Sequence, residues 1–322
     1  MNILIVDLAG CREPTLGFQI KSAFLELGYK VRSFNYRKWK LQHFPVTNLV
    51  LNKMIVNTAV KWPADFVLVN KGETLLPGTV TNISSRGITT VNWNPDEPFG
   101  KLQSFNKIRN IEEYDAFFTY DKQYVKELKE VNPHSYHLPP GADPNGVYKE
   151  QIPLKKRKYS ADVCLVGTAY ANRVELLKQL KKYQVKVAGP GWYKAPDRIA
   201  KRALPFVDIY QMVQLFNKSK IVLNPYGQSK HFIVPNPRTF EIPATRSFQL
   251  TDMPREVKHY FRPKKEIVVY NGKDEFKELV DYYLEHDEER VKIAQAGYER
   301  VIKEHTMKHR IQKLLGIVKR LE

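Results

Sequence analysis

Short apolar runs alternate through most of the chain with stretches in which apolar residues recur at helical spacing. This alternation is typical of parallel strands that are buried by the helices connecting them. The first half of the sequence predicts helices at residues 15–27, 41–60, 102–111 and 122–131, and six strands at residues 3–8, 30–36, 65–70, 89–93, 116–120 and 135–138. It therefore predicts a Rossmann-like α/β sheet.

The alternation stops at a polar, proline-rich stretch and then starts again. Four prolines and a KKRK run fall within residues 139–158, which is the composition of a linker. Beyond it the sequence predicts helices at 172–183, 209–217 and 238–245 and strands at 162–166, 185–188, 221–224, 248–250 and 266–270, and then helices alone. We therefore predict two Rossmann-like domains, residues 1–150 and 151–303, and a C-terminal helix, residues 304–322, that packs toward the first domain.

The chain carries a large positive charge that is concentrated in one segment. Lys and Arg number 52 against 34 Asp and Glu, a formal net charge of +18, and residues 151–265 contain 23 basic but only 7 acidic side chains. An excess of this size usually indicates a polyanionic partner or an anionic surface, and it carries no information about the fold. A hydrophobic fraction of 43% argues against a disordered chain.

The first apolar run and the cysteines bear on the compartment. Residues 3–8 are too few for a signal sequence or a membrane span, and no basic region precedes them. Cys11 and Cys164, the only cysteines, lie far apart, which excludes a disulfide framework and a thiolate zinc site. We expect a cytoplasmic protein without a transmembrane segment.

Glycine-containing turns follow several predicted strands. Gly10 lies in the turn after the first strand, and Gly167, Thr168 and Gly189 lie in turns after two strands of the second domain. Such turns place backbone N–H groups and helix N-termini at the carboxyl edge of a sheet, where anionic ligands bind in open α/β folds. An ordinary strand-to-helix turn is the alternative, because the G-x-G-x-x-G spacing is absent.

Two side chains near these turns are candidates for contact with a phosphorylated ligand. Arg173 falls in the first turn of a predicted helix, where its guanidinium would bind phosphate; a solvent-exposed residue at a helix start is the alternative. Trp192 follows two glycines and would either stack on a nucleobase or pack in the core.

The densest group of polar residues lies between a predicted strand and a short helix. It comprises Asn224, His231, Asn236, Arg238 and Glu241. Arg238 could neutralise a phosphate, and Glu241 could accept hydrogen bonds from two ribose hydroxyls, because a carboxylate has lone pairs for both. A purely structural Arg238–Glu241 ion pair is the alternative.

A loop after the fourth predicted strand carries a candidate general base. Asp96 and Glu97 lie between two prolines that fix the loop, and Asp96 in a simple turn is the alternative. His231 is a second candidate base. The histidines show no H-E-x-x-H or other metal-ligand spacing, so we expect no catalytic metal. No P-loop or G-x-S-x-G motif is present, which argues against the usual phosphate-loop and hydrolase functions.

Several stretches together resemble the CgeB-like glycosyltransferases, which have the two-domain GT-B fold. They are WNPDEP at 93–98, HLPPGADP at 137–144, ADVCLVGT at 161–168, GPGW at 189–192, IVLN at 221–224, RTFEIPA at 238–244, IAQAGYERV at 293–301 and HTMKHR at 305–310. These stretches have the family's order and are spread over about two thirds of the chain.

The resemblance implies a nucleotide-sugar donor held by the second domain, an acceptor held by the first, and transfer in a cleft between them. In related GT-B enzymes a glutamate at the position of Glu241 binds the donor ribose, and basic residues resembling Arg173 and Arg238 face the diphosphate. Retaining relatives often have a second glutamate eight positions earlier, where this chain has Ile233, so the stereochemical outcome stays open. The resemblance also implies metal-independent chemistry with no cofactor beyond the nucleotide-sugar co-substrate.

We therefore predict a hexosyltransferase-type glycosyltransferase that moves a sugar from a nucleotide-activated donor, with UDP favoured, to an acceptor hydroxyl. The positive charge favours an anionic acceptor, namely modified nucleic acid, a wall polymer or glycan at a membrane surface. A nucleic-acid-binding protein without catalysis and a GT-B nucleotide-sugar epimerase are the alternatives. The predicted catalytic residues are Asp96 and His231, and the predicted donor-binding residues are Gly10, Gly167, Thr168, Arg173, Gly189, Trp192, Asn224, Asn236, Arg238 and Glu241.

Overall fold

The computed structural model describes residues 1–7, 15–36, 45–99, 108–146, 152–204, 206–226, 234–252 and 257–321. The chain divides into two compact units. The first consists of Met1–Pro140 and Met307–Glu322, and the second of Gly141–Thr306. The sequence prediction placed the corresponding boundaries at residues 150 and 303.

The first unit is a six-stranded parallel sheet covered by helices. Its strands, in the spatial order β2-β1-β3-β4-β5-β6, are β1 (Asn2–Asp7), β2 (Lys30–Asn35), β3 (Phe66–Asn70), β4 (Thr89–Asn94), β5 (Ala116–Thr119) and β6 (Ser135–His137). Its helices are Leu16–Glu26, Pro45–Lys61, Thr79–Ser84, Val125–Val131 and Met307–Val318. Thr79–Ser84 was not predicted, because its TVTNIS sequence is rich in β-branched residues of low helix propensity.

The second unit is a five-stranded parallel sheet. Its strands, in the spatial order β11-β10-β9-β7-β8, are β7 (Ala161–Val166), β8 (Val185–Ala188), β9 (Ser219–Leu223), β10 (Gln249–Asp252) and β11 (Val268–Tyr270). Its helices are Ala171–Lys178, Asp197–Ala200, Ile209–Asn217, Arg238–Ala244, Gly272–Glu285 and Asp287–Glu304. Because each sheet is wholly parallel, the carboxyl ends of its strands share one edge, where the loops of interest begin.

A close helix contact fixes the position of helix Arg238–Ala244. Helix Asp287–Glu304 packs against it, and a Cβ atom at Gly297 would lie 2.4 Å from the carbonyl oxygen of Glu266 and 3.4 Å from Pro243. Gly297 therefore allows an approach that any side chain would prevent. The contact supports the helix that carries Arg238 and Glu241.

The C-terminal helix, Met307–Val318, belongs to the first unit. It packs against helix Leu16–Glu26, and the Arg310 Nε atom donates a hydrogen bond to the carbonyl oxygen of Pro140 at 3.0 Å. In the ranges that the structure describes, no helix has the length and apolar character that a bilayer span requires.

Candidate functional site

Two glycines allow the ends of β7 and β8 to meet. Gly189 has a φ of +126°, and a Cβ atom there would lie 2.4 Å from the carbonyl oxygen of Gly167. The Gly167 amide donates to the carbonyl oxygen of Ala188 at 2.8 Å, so it is already paired, although it was one of the amides expected to face a phosphate. The predicted glycines therefore do lie at the carboxyl edge, where they permit close backbone packing.

Trp192 lies in the core of the second unit and is only 1% exposed. Its Nε1 atom donates to the carbonyl oxygen of Gly167 at 2.8 Å. The prediction that Trp192 binds the donor is therefore corrected, because its ring packs among core side chains and is not available for stacking on a base. The alternative of core packing describes this residue, with the indole N–H satisfied as a buried tryptophan requires.

The Arg173 guanidinium joins two loops at the carboxyl edge. Its Nε and Nη2 atoms donate to the carbonyl oxygen of Pro225 at 2.9 and 2.7 Å, and Nη1 donates to that of Thr168 at 3.0 Å. Asn172 adds a hydrogen bond to the carbonyl oxygen of Tyr226 at 2.7 Å. Burial lowers the pKa of Arg173, and nearby Tyr170 and Asp252 oppose that shift.

These contacts correct the interpretation of Arg173 as a solvent-exposed residue at a helix start. Three of its N–H groups donate to backbone carbonyls, so the side chain is held within the unit, and its contact with a phosphate stays a prediction. Arginine suits this task because its planar fork donates several hydrogen bonds in fixed directions. Thr168 takes part through its carbonyl oxygen.

A buried amide and hydroxyl network follows β9. The Asn236 Nδ2 atom donates to Asn224 Oδ1 at 3.1 Å, and Asn236 Oδ1 accepts from the Thr239 amide at 3.2 Å. The Tyr226 and Thr239 hydroxyl oxygens are 2.5 Å apart, and the Tyr226 amide donates to Asp252 Oδ1 at 2.9 Å. The network includes Asn224 and Tyr226 on one side of segment 227–233 and Asn236 on the other.

Arg238 and Glu241 lie in the first turn of helix Arg238–Ala244 and form an ion pair through Arg238 Nη1 and Glu241 Oε2. The Glu241 side chain is 5% exposed and that of Arg238 is 33% exposed. The Arg238 Nε atom is buried and makes no hydrogen bond within the described part of the chain. A helix N-terminus, a cation and a buried carboxylate thus meet at the carboxyl edge of the second sheet.

Asp96 in the first unit lies in a turn that Asn94 holds. The Asn94 Nδ2 atom donates to the Asp96 carbonyl oxygen at 2.8 Å, and Lys71 Nζ lies 3.2 Å from the Asp96 carboxylate and 3.2 Å from that of Glu73. Burial lowers the pKa of Lys71, but the two carboxylates outweigh it and raise the pKa overall. Lys71 therefore stays charged and forms an ion pair with the Asp96 carboxylate.

Lys71 was missed at the sequence level. It has a φ of +70°, a left-handed conformation that is uncommon for a residue with a side chain and often marks a functional site. The signal available in the sequence is the Asn70-Lys71-Gly72 turn directly after an apolar strand.

Three further residues at this edge were not predicted as site residues. Asp7 is buried at the end of β1 and accepts from Asn70 Nδ2 at 2.5 Å. Asp121 is fully buried after β5, its Oδ2 atom makes no hydrogen bond among the described residues, and burial raises its pKa. His137, at the end of β6, has a pKa lowered to about 4 by burial and by the charge of Lys313.

Some predictions fall outside the described residues. Gly10, His231 and Ile233 belong to segments that the structure does not describe. Among the described residues, no group of three or more His, Cys, Asp or Glu side chains could hold a metal ion.

Sequence comparison relates the chain to glycosyltransferases. Residues 171–316 match the model of a family described as glycosyl transferase-like. The chain is 26% identical to the spore protein CgeB of Bacillus subtilis over an alignment of 325 residues, which covers 92% of this chain and 98% of CgeB.

Structural comparison finds solved proteins of similar fold. An alpha-glucosyltransferase solved with UDP-glucose and DNA containing an abasic site has a TM-score of 0.71 at 14% identity, over 99% of each chain. A glycosyltransferase from Rickettsia africae has a TM-score of 0.67 at 13% identity, over 99% of this chain and 98% of its own. Sucrose-phosphate synthase from Thermosynechococcus elongatus has a TM-score of 0.68 at 9% identity, over 100% and 99%.

The structural likenesses establish the fold, and the sequence matches establish the relationship, so the predicted fold and family resemblance are both confirmed. The chain has the GT-B fold, its residues 171–316 match a family described as glycosyl transferase-like, and the chain is similar over nearly its whole length to the CgeB spore protein.

Proposed function

We propose that this protein is a metal-independent glycosyltransferase that moves a hexose from a nucleotide-activated donor, a UDP-sugar, to an acceptor hydroxyl. The observation that carries the proposal is the Arg238–Glu241 pair in the first turn of a helix at the carboxyl edge of the second sheet. This pair lies within the glycosyl transferase-like region, residues 171–316. The buried carboxylate can accept from the ribose hydroxyls of a nucleoside diphosphate, and the partly exposed cation can pair with its phosphates.

The two side chains have different roles in the proposal. Glu241 accepts hydrogen bonds from ribose hydroxyls, because its carboxylate has more lone pairs than its bond to Arg238 uses. Arg238 faces the diphosphate and keeps donors for it, since a third of its side chain is exposed and the ion pair with Glu241 is made through Nη1. Fixed cations and backbone dipoles stabilise a leaving diphosphate without a metal ion.

The acceptor is assigned to the carboxyl edge of the first sheet. Asp96 is the proposed general base, because its carboxylate lies just after β4 at this edge, 3.2 Å from Lys71 Nζ, and about a third of its side chain remains open to solvent. The acceptor class is proposed to be anionic, in keeping with the excess of basic residues in the chain. The alpha-glucosyltransferase of similar fold was solved with UDP-glucose and DNA, which fits that class.

A nucleotide panel tests the donor assignment. The melting temperature is measured with UDP, GDP, CDP, ADP and dTDP, each with and without EDTA, for the wild type, Glu241→Gln and Arg238→Gln. We expect UDP to raise it most, EDTA to change nothing, and each variant to lose about tenfold or more in UDP affinity, the size of one charge-assisted hydrogen bond.

Glu266→Gln is the matched control. Glu266 is also buried in the second unit and also pairs with an arginine, Arg262, but it lies in the loop before β11. Its substitution should lower stability without changing the UDP-induced shift. No shift with any nucleotide, or equal loss of the shift in Glu266→Gln and Glu241→Gln, would contradict the donor assignment.

Two alternative functions predict other results. An epimerase releases an altered sugar in the absence of any acceptor. A nucleic-acid-binding protein without catalysis shows no nucleotide-sugar turnover, and its affinity for DNA or RNA falls steeply with salt.

A further inference from the structure

The second unit exposes large apolar side chains beside lysines and arginines. Phe206 and Tyr193 are 80% and 77% exposed, the highest values for large apolar side chains among the described residues, and Leu204 is 43% exposed. All three follow β8, in the segment between that strand and helix Ile209–Asn217. Single exposed apolar residues are common on soluble proteins, whereas three in one short segment indicate an interaction surface.

The segment that presents these side chains is held firmly. Trp192, Ala195 and Ile199 are buried in the core cluster of the second unit. The Leu204 amide donates to the carbonyl oxygen of Val187 at 3.0 Å, and the Leu204 carbonyl oxygen accepts from the Gly189 amide at 2.9 Å. Leu204 therefore lies alongside the end of β8, and Tyr193 and Phe206 follow within a few residues of these fixed points.

The same segment is basic. Residues 193–206 contain four cationic side chains and one acidic side chain. Lys194 lies over the Tyr193 ring at 5.6 Å, and Lys201 forms an ion pair with Asp197 in which both side chains are highly exposed. We call Tyr193, Lys194, Lys201, Arg202, Leu204 and Phe206 the basic aromatic patch.

We propose that the basic aromatic patch binds the surface of a membrane that contains anionic phospholipid. Aromatic rings and aliphatic side chains enter the interfacial region of a bilayer, while lysine and arginine remain at the level of the phosphates. Each cation near such a surface adds to the attraction. Exposed Leu204 favours lipid over nucleic acid, because single-stranded nucleic acids stack on flat rings and find no such contact on an aliphatic side chain.

This inference does not depend on the proposed reaction, since membrane binding is measured without donor or acceptor. The test is cosedimentation of the full chain with vesicles of phosphatidylcholine alone, or of phosphatidylcholine and phosphatidylglycerol. We expect binding to the mixed vesicles only. Tyr193→Ser combined with Phe206→Ser should weaken it about tenfold or more by removing the apolar contact.

Lys201→Glu combined with Arg202→Glu should weaken binding similarly and should lessen its dependence on salt. The matched control replaces two exposed aliphatic residues of the first unit, Leu49→Ser and Val50→Ser, which should leave binding unchanged. Because the replaced side chains are exposed, the melting temperature should stay close to that of the wild type, which separates lost binding from lost folding.

Three results would overturn the inference. They are equal binding to neutral and anionic vesicles, unchanged binding by the Tyr193 and Phe206 double variant, and absence of vesicle binding altogether. A single-stranded oligonucleotide that binds with dependence on Tyr193 and Phe206, while vesicles fail to compete, would assign the patch to nucleic acid instead.

Discussion

The carboxyl edges of the two sheets differ in chemistry. The first edge has three aspartates, Asp7, Asp96 and Asp121, at or after the ends of β1, β4 and β5. The second edge has two arginines, Arg173 against the Gly167 turn and Arg238 in the first turn of a helix, together with backbone groups and amides. The first edge suits the removal of a proton from a hydroxyl, and the second suits the binding of an anion.

The second edge also shows that a cationic side chain near a candidate site can be engaged by the protein's own backbone. Arg173 donates to two backbone carbonyls, whereas Arg238 is partly exposed and pairs with a single carboxylate. Two arginines of the same edge thus have different surroundings. The comparison predicts that substitutions at the first edge change turnover, while those at the second change nucleotide affinity.

The largest expected effect is that of Asp96→Asn, which tests the first edge. Asparagine keeps the size of the side chain but cannot accept a proton from the acceptor, and loss of a general base typically costs 10²- to 10⁴-fold in rate. We expect kcat to fall by about that factor, with the UDP affinity unchanged. Transfer kinetics and UDP titration measure the two quantities separately.

Asp65→Asn is the control for this variant. Asp65 belongs to the same unit but precedes β3 at the opposite edge of the sheet, and it is exposed. Its substitution should leave kcat unchanged. Full turnover by Asp96→Asn would contradict the proposal that the first edge supplies the general base. If Glu241→Gln still loses UDP affinity, the proposal that the second edge binds the donor would stand.

The pH dependence of stability tests whether His137 is held neutral at the first edge. Its pKa is lowered to about 4, against an ordinary value of 6.5. The unfolded chain therefore binds an additional proton between these values, so the stability contributed by neutral His137 is complete above pH 6.5 and is lost as the pH falls toward 4. The loss is at most about 3 kcal/mol.

Urea unfolding at a series of pH values measures this contribution. His137→Gln can keep a hydrogen bond to the Tyr120 carbonyl oxygen, which the histidine ring makes at 3.2 Å, but it does not titrate. We expect this variant to show a weaker fall in stability between pH 6.5 and 4 than the wild type. His134→Gln, at an exposed position, is the control. If both variants lose the same amount of stability between pH 6.5 and 4, His137 is not the group that causes the pH dependence.

Much of this fold follows from the sequence pattern. The apolar runs predicted at 65–70 and 162–166 form the largely buried strands β3 (Phe66–Asn70) and β7 (Ala161–Val166), as expected for parallel strands. Helix Thr79–Ser84 was missed, since tertiary packing there overrides the low helix propensity of its β-branched residues. The position of the glycine turns at the carboxyl edge was predictable, because the loops that follow parallel strands all begin at the same edge of the sheet.

The contacts within the site were harder to predict. The sequence indicates that Arg173 and Trp192 lie near glycine turns, but it does not show that the first donates to carbonyls and the second packs in the core. Lys71 was missed because its role depends on a left-handed backbone conformation and on its ion pair with Asp96, which follows the next strand of the chain. Such pairings depend on long-range geometry, which residue types and spacing do not specify.

The smallest expected effect distinguishes the two arginines of the second edge. Lysine at position 173 keeps a positive charge but loses the planar fork that donates twice to Pro225 and once to Thr168. The loops should then be held less firmly. We expect Arg173→Lys to weaken the binding of UDP and of uridine by the same factor, about tenfold, which corresponds to about 1.4 kcal/mol of binding free energy for each ligand.

Arg238→Lys provides the contrast, because its target is the diphosphate. This variant should weaken UDP more than uridine, since uridine has no phosphate for the arginine to contact. Calorimetric titration of both ligands with both variants gives the ratio of UDP to uridine affinity. If Arg173→Lys lowers that ratio as much as Arg238→Lys does, then Arg173 contacts the diphosphate directly, and the carbonyl contacts seen at Pro225 and Thr168 must rearrange when the nucleotide binds. An unchanged ratio identifies Arg173 as a positioning residue and leaves Arg238 as the phosphate-binding cation of this edge.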